Sequence, residues 1–255
     1  MLLKNVIKDI QRHNWFAVFL DFAVVVIGIL VAMQLADWEE NKNENKIAKE
    51  YTLLLIEDLN ADQRSAKNGE DYYSQVQQFG KNALTLWTDS QELTPEQLVV
   101  SFYQASNIFA NNSTSGTYDS LASTGRLGLI GGPQFASTLS NYYARALDSL
   151  IFFSPPYRME VRGILPPEVQ TLIRQNCVKL TIEGMLNEVL SDTCDIGLNT
   201  KEALSILSDL KEHPKLAFYL RQKIALDALA TEVLKLQSTE SKRLIEIFKK
   251  VHVEI

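Results

Sequence analysis

Histidine and cysteine are scarce in this chain, with three histidines (His13, His213, His252) and two cysteines (Cys177, Cys194) among 255 residues. One histidine precedes the apolar N-terminal run, one adjoins Pro214 and one lies near the end, so neither metal-ligand spacing nor a nucleophile–histidine constellation is visible. Glycine (11) and proline (7) are also few, which excludes a low-complexity chain, and 46% hydrophobic residues exclude a disordered one. Clustered basic residues are missing as well. The net charge is −6, and residues 1–36 hold Lys4, Lys8 and Arg12 against Asp9 and Asp21, a local +1 that leaves −7 for the remainder. Nucleic acid is therefore excluded as a partner, because phosphate backbones require a basic face.

The motifs that could carry chemistry are weak. Gly125, Gly128 and Gly131 repeat at intervals of three, but without the Lys-Ser/Thr of a phosphate loop or a strand before them, and they read as helix-joining turns. Glu57, Asp58 and Asp62 lack the spacing of a calcium loop and read as a solvated helix face. No catalytic, cofactor-binding or metal-binding residue is assigned, no cofactor is expected, and the chain reads as a non-enzyme.

One long hydrophobic run is present. Phe16 to Ala36 contains a single charge, Asp21. As a helix it spans about 31 Å, the thickness of a hydrocarbon core. It is longer than the apolar region of a signal peptide and ends without small residues at both cleavage positions. Basic residues dominate residues 1–14, whereas Asp37, Glu39, Glu40, Glu44 and Glu50 outnumber Lys42, Lys46 and Lys49 beyond the run. The basic side marks the cytoplasm, which predicts a cytoplasmic tail (1–14), a transmembrane helix (15–37) bracketed by Trp15 and Trp38, and a domain across the membrane (38–255). No second run is long enough to span.

Within that span, Asp21, Gly28, Ala32 and Ala36 fall on one helical face, and the last three form a small-xxx-small ladder suited to close helix packing. Asp21 then pairs with a group across that interface, in a homo-oligomer or with a membrane-protein partner. Alternatively it snorkels to the headgroups of the bilayer. Cys177 and Cys194 are a candidate disulfide in a domain expected to face an oxidising compartment; the alternative is two unrelated buried thiols.

Helical periodicity runs through the rest. Ile47, Tyr51, Leu55 and Leu59 recur at i+4, and Tyr72, Val76, Phe79, Ala83 and Leu86 alternate i+4 and i+3. The polar middle around Gly69 is a candidate interruption. Thr94, Pro95 and Gln97 form a capping box ahead of a helix to about Phe109, Tyr118–Thr124 reads as a short helix stopped by Gly125, and Pro133 opens another. The segment 166–190 is helical in pattern, Asn199 and Glu202 cap a further helix, and Pro214 launches a run to about Val251 with Leu216, Leu220 and Ile224 and later Leu226, Leu229, Val233 and Leu236 at helical spacing. The predicted fold class is all-α, a single N-terminal transmembrane helix continuing into a helical bundle.

Several blocks resemble a family of bacterial single-pass inner-membrane proteins known only as a domain of unknown function. They are the acid and small-residue span with its tryptophan (Asp21, Val25, Val26, Gly28, Ala32, Gln34, Trp38), EYTLLLIEDLNAD (Glu50 to Asp62), and TYDSLASTGRLGLI with the following SNYY (Thr117 to Ile130, Tyr142, Tyr143). Where such proteins carry Trp-Asn-Glu after the span, this chain has Trp38-Glu39-Glu40. The resemblance implies an inner-membrane location and a periplasmic domain, and no activity. The function expected is a membrane-anchored scaffold or adaptor acting through protein contacts; the alternative is a small-ligand sensor bundle signalling through a membrane partner.

Overall fold

The computed structural model describes residues 15–88, 93–109, 113–147, 156–182, 186–191 and 194–254. Eight α-helices account for most of them. They are α1 (Trp15–Leu84), α2 (Pro95–Gln104), α3 (Gly116–Ser123), α4 (Pro133–Leu147), α5 (Pro156–Ile164), α6 (Pro167–Cys177), α7 (Thr200–Glu212) and α8 (Leu216–Glu254). The chain divides into two compact units, one up to Thr52 and one from Leu53 to Glu254.

In the first unit, α1 is the one helix among the described residues that is long and apolar enough to cross a membrane. Its large apolar side chains, including Phe16, Phe22, Val25 and Leu35, are exposed. In the second unit, α1 becomes amphipathic. Leu55, Leu59, Ala66, Tyr72, Tyr73, Val76, Phe79 and Ala83 are buried, while Gln78 and Lys81 are exposed. The polar middle does not interrupt the helix. Gly69 is required instead for close packing: a Cβ there would stand 2.8 Å from Leu234 and from Phe109.

The main core joins this stretch of α1 to α2, α5, α6, α7 and the start of α8 through Val99, Phe102, Tyr103, Tyr157, Val161, Ile173, Leu207, Leu210, Leu216 and Leu220. The capping box at Thr94 is formed: Gln97 N–H donates to Thr94 Oγ1 at 3.2 Å and Thr94 N–H to Gln97 Oε1 at 2.8 Å. Helix α2 stops at Gln104, short of Phe109, and the chain turns through Ala105 and Ser106. Asn199 caps α7 by accepting from Glu202 N–H at 2.9 Å. Gly125 and Gly131 both sit at φ +69, the left-handed backbone that the turn reading requires; Leu121 before them and Ile130 between them are buried.

The segment 166–190 is not helical throughout. Helix α6 ends at Cys177, and an antiparallel hairpin follows, β1 (Val178–Ile182) and β2 (Leu186–Leu190), in register Val178 to Leu190 and Leu180 to Glu188. The physical reason is in VKLTI, which alternates apolar and polar residues with β-branched side chains, a period of two that a helical reading of the longer window obscures. Cys177 and Cys194 are joined by a disulfide with Cα atoms 5.3 Å apart. The link closes the hairpin at its base, where Ser191 N–H also donates to the Cys177 carbonyl at 2.9 Å. Glu96 anchors the following loop, its Oε1 accepting from Ile196 N–H (2.9 Å) and Leu198 N–H (3.1 Å).

Candidate functional site

Helices α4 and α8 form a half-open cleft of about 570 Å³, lined by Thr138, Asn141 and Tyr142 from α4 and by Val233, Leu236, Gln237, Glu240 and Arg243 from α8. Each set follows from helical geometry, since positions three and four apart share a face. The cleft volume falls in the range of small-molecule sites. Its walls mix the exposed apolar side chains of Leu236 and Val233 with amides and an ion pair, Arg243 Nη2 to Glu240 Oε1 at 2.6 Å.

Tyr142 connects the cleft to a buried polar network. Its hydroxyl donates to Asp62 Oδ2 at 2.9 Å and lies 2.9 Å from Ser241 Oγ, which itself donates to the Gln237 carbonyl at 2.7 Å. Asp62, fully buried on α1, also accepts from Ser113 Oγ and from Thr114 N–H, each at 2.6 Å. One helical turn earlier, Asp58 accepts from Thr117 N–H at 3.1 Å. Tyr143 donates to the Thr114 carbonyl at 3.2 Å and stacks on Tyr118 with ring centroids 4.6 Å apart. The two aspartates thus fasten the loop before α3, satisfying backbone donors that burial would otherwise strand.

The electrostatics follow from burial. Desolvation raises the Asp62 pKa, opposed by the hydrogen bonds from Ser113, Thr114 and Tyr142. Desolvation, reinforced by the Asp62 charge, also pushes the Tyr142 phenol well above its ordinary value. The phenol keeps its proton at neutral pH, so at this wall it serves as a hydrogen-bond donor to Asp62.

The solvated-face reading of the acidic series is therefore corrected. Glu57 is exposed, but Asp62 is buried and hydrogen-bonded. The signal was in the spacing: Leu55, Leu59 and Asp62 follow i+4 and i+3, which places the acid on the face that the leucines bury. Along α8, Leu216 and Leu220 are buried but Leu229, Val233 and Leu236 are exposed, the buried positions there being Ala230, Leu234, Leu244, Ile245 and Phe248. Among the described residues, no group of histidine, cysteine and carboxylate side chains is arranged to hold a metal ion.

Of the residues singled out from sequence, Cys177 and Cys194 are brought together, whereas Asp21, Gly28, Ala32 and Ala36 lie on the exposed part of α1. Nothing lies within 4 Å of a Cβ placed on Gly28. No family model, curated protein or solved structure matches the chain.

Proposed function

We propose that this chain is a non-enzymatic scaffold or adaptor held in a bacterial inner membrane by residues 15–37, with residues 1–14 cytoplasmic and 38–255 periplasmic. The observation that carries the reading is the uncovered apolar surface of α1, on which Phe16 is 74% exposed, Phe22 67%, Val25 60% and Leu35 62%. Such side chains are stable in lipid and costly in water. The charge asymmetry sets the orientation, and a disulfide accords with an oxidising compartment. The face of Gly28, Ala32 and Ala36, open to close approach, then meets a second copy or another membrane protein, with Asp21 paired across the interface.

Cysteines placed in turn along this face and along the opposite one, around Val24 and Ile27, test the packing in intact cells. Preferential crosslinking through the Gly28 face is expected; equal crosslinking on both faces refutes it. Activity of a periplasm-only reporter fused to the C-terminus is expected, and activity of a cytoplasm-only reporter there reverses the orientation.

A second reading, a small-ligand sensor acting through a membrane partner, is favoured by the cleft between α4 and α8 with its polar and apolar walls. Filling it with Leu236→Trp should remove stabilisation by any bound metabolite while leaving crosslinking through the Gly28 face unchanged. A cleft that retains every ligand response after filling is not the sensor site.

A further inference from the structure

The second unit holds another polar cluster, remote in sequence from the cleft residues and built on α2, α5 and α6. Arg158 and Arg162, four residues apart on α5, reach the C-terminal end of α2. Arg158 Nη1 donates to the Ser106 carbonyl at 2.8 Å, and Arg162 donates through Nε to Ser106 Oγ at 2.8 Å and through Nη2 to Asn107 Oδ1 at 2.6 Å. The Arg162 guanidinium also lies over the Tyr103 ring, 4.7 Å from its centroid. From α6, Arg174 Nη2 donates to the hydroxyl of the same tyrosine at 3.4 Å.

Capping accounts for part of this. Cations at a helix C-terminus complement its exposed carbonyls, and Arg158 does so at the Ser106 carbonyl, while Arg162 makes two hydrogen bonds to the Ser106 and Asn107 side chains. Arg158 and Arg174 are the less used. Each guanidinium carries five N–H donors, and each has one hydrogen bond here. Among the described residues, no carboxylate comes within ion-pair distance of any of the three arginines. The acid in their vicinity, Glu188 of β2, accepts from Tyr72 Oη at 3.3 Å. Lys223 adds a further positive charge, but it is paired with Asp227. In a chain with a net charge of −6, three guanidinium groups gather here, Arg158 and Arg162 half-buried and Arg174 exposed, with Glu188 as the acid whose charge reaches Arg158 and Arg174.

We propose that Arg158 and Arg174, with Arg162 and Tyr103 holding them in place, form a binding site for a small oxyanion of the phosphate class. A guanidinium fork presents paired donors matched to the oxygens of such a group, and the partial burial of Arg158 strengthens the attraction by reducing screening. The costs visible without the anion agree. Desolvation lowers the Arg158 and Arg162 pKa values and repulsion from neighbouring arginines lowers them further, with Tyr103 and Tyr72 opposing, whereas Arg174 is raised by its hydrogen bond with Tyr103. A bound oxyanion offsets both, while the nearby Glu188 charge disfavours ligands of high charge.

Thermal unfolding of the detergent-solubilised full chain at constant ionic strength provides the test, with inorganic phosphate exchanged for chloride. At ten times the dissociation constant, phosphate should raise the midpoint by about 3–6 °C. Arg174→Gln, an exposed position whose circular dichroism should be unchanged, should lose most of that rise. A parallel arm uses dihexanoyl phosphatidic acid. Stabilisation by this lipid and not by phosphate, lost in Arg174→Gln, supports the site and assigns the oxyanion to a lipid headgroup; stabilisation by phosphate assigns it to a free anion. No rise with either probe, or a rise that Arg174→Gln preserves, overturns the proposal.

Discussion

Leu30 and Leu59 lie on the same helix, yet Leu30 is 54% exposed and Leu59 is fully buried. Around Leu30 the sequence is apolar on every face, and the large side chains from Phe16 to Leu35 stand open. Around Leu59 apolar residues recur at three and four, and one stripe is covered by other helices of its unit. A helix apolar all round needs a surrounding medium that is itself apolar, whereas a striped helix needs a neighbour on one side only. The difference lies in periodicity, since both stretches hold the same backbone conformation.

Paired truncations give the largest expected effect. Leu59→Ala should cost about 3 kcal/mol in chemical unfolding of the detergent-solubilised protein, through lost transfer energy and the cavity left behind. Leu30→Ala should stay within about 0.5 kcal/mol in the same measurement. Equal losses would mean that the two stretches share one kind of environment, and the contrast would collapse.

The two aspartates of α1 sharpen it. Asp62→Ala strands the donors of Ser113, Thr114 and Tyr142, and should cost about 2 kcal/mol. Asp21→Ala, at an exposed position, should leave unfolding of the second unit unchanged while weakening crosslinking through the Gly28 face. Should Asp21→Ala instead destabilise that unit as much as Asp62→Ala, Asp21 has a partner within the fold.

Much of the helical framework was legible because its signals are local. Proline and capping residues mark the starts of α2, α4 and α7, and left-handed glycines mark the turn after α3. What escaped depends on neighbours remote in sequence. Asp62 meets Ser113 and Tyr142 across 51 and 80 residues, and no spacing within α1 announces those partners. The burial phase of α8 escaped for a similar reason. Its leucines offer two candidate stripes, and the one containing Ala230 and Leu234 is selected by packing against Ala66, Tyr73 and Phe109. The hairpin was obscured by its neighbour, since the helical pattern of α6 runs directly into VKLTI.

The smallest expected effect concerns pH. Burial raises the folded-state pKa of Asp62 above that of an ordinary aspartate, so the unfolded chain releases this proton first as pH rises. Folding must then keep the carboxyl protonated or bury its charge, and either course costs stability. The penalty is absent below the unfolded pKa of about 3.9, grows as pH climbs, and levels off above the folded pKa. Asp62→Asn removes the titration while keeping one acceptor for Tyr142 or Thr114. Relative to the wild type, the variant should therefore be at its weakest near pH 4 and gain ground towards pH 7, in urea unfolding followed at several pH values. If Asp62→Asn instead loses ground as pH rises, the hydrogen bonds from Ser113, Thr114 and Tyr142 outweigh desolvation and hold the carboxylate ionised, and Asp62 is an anchor that works through its charge.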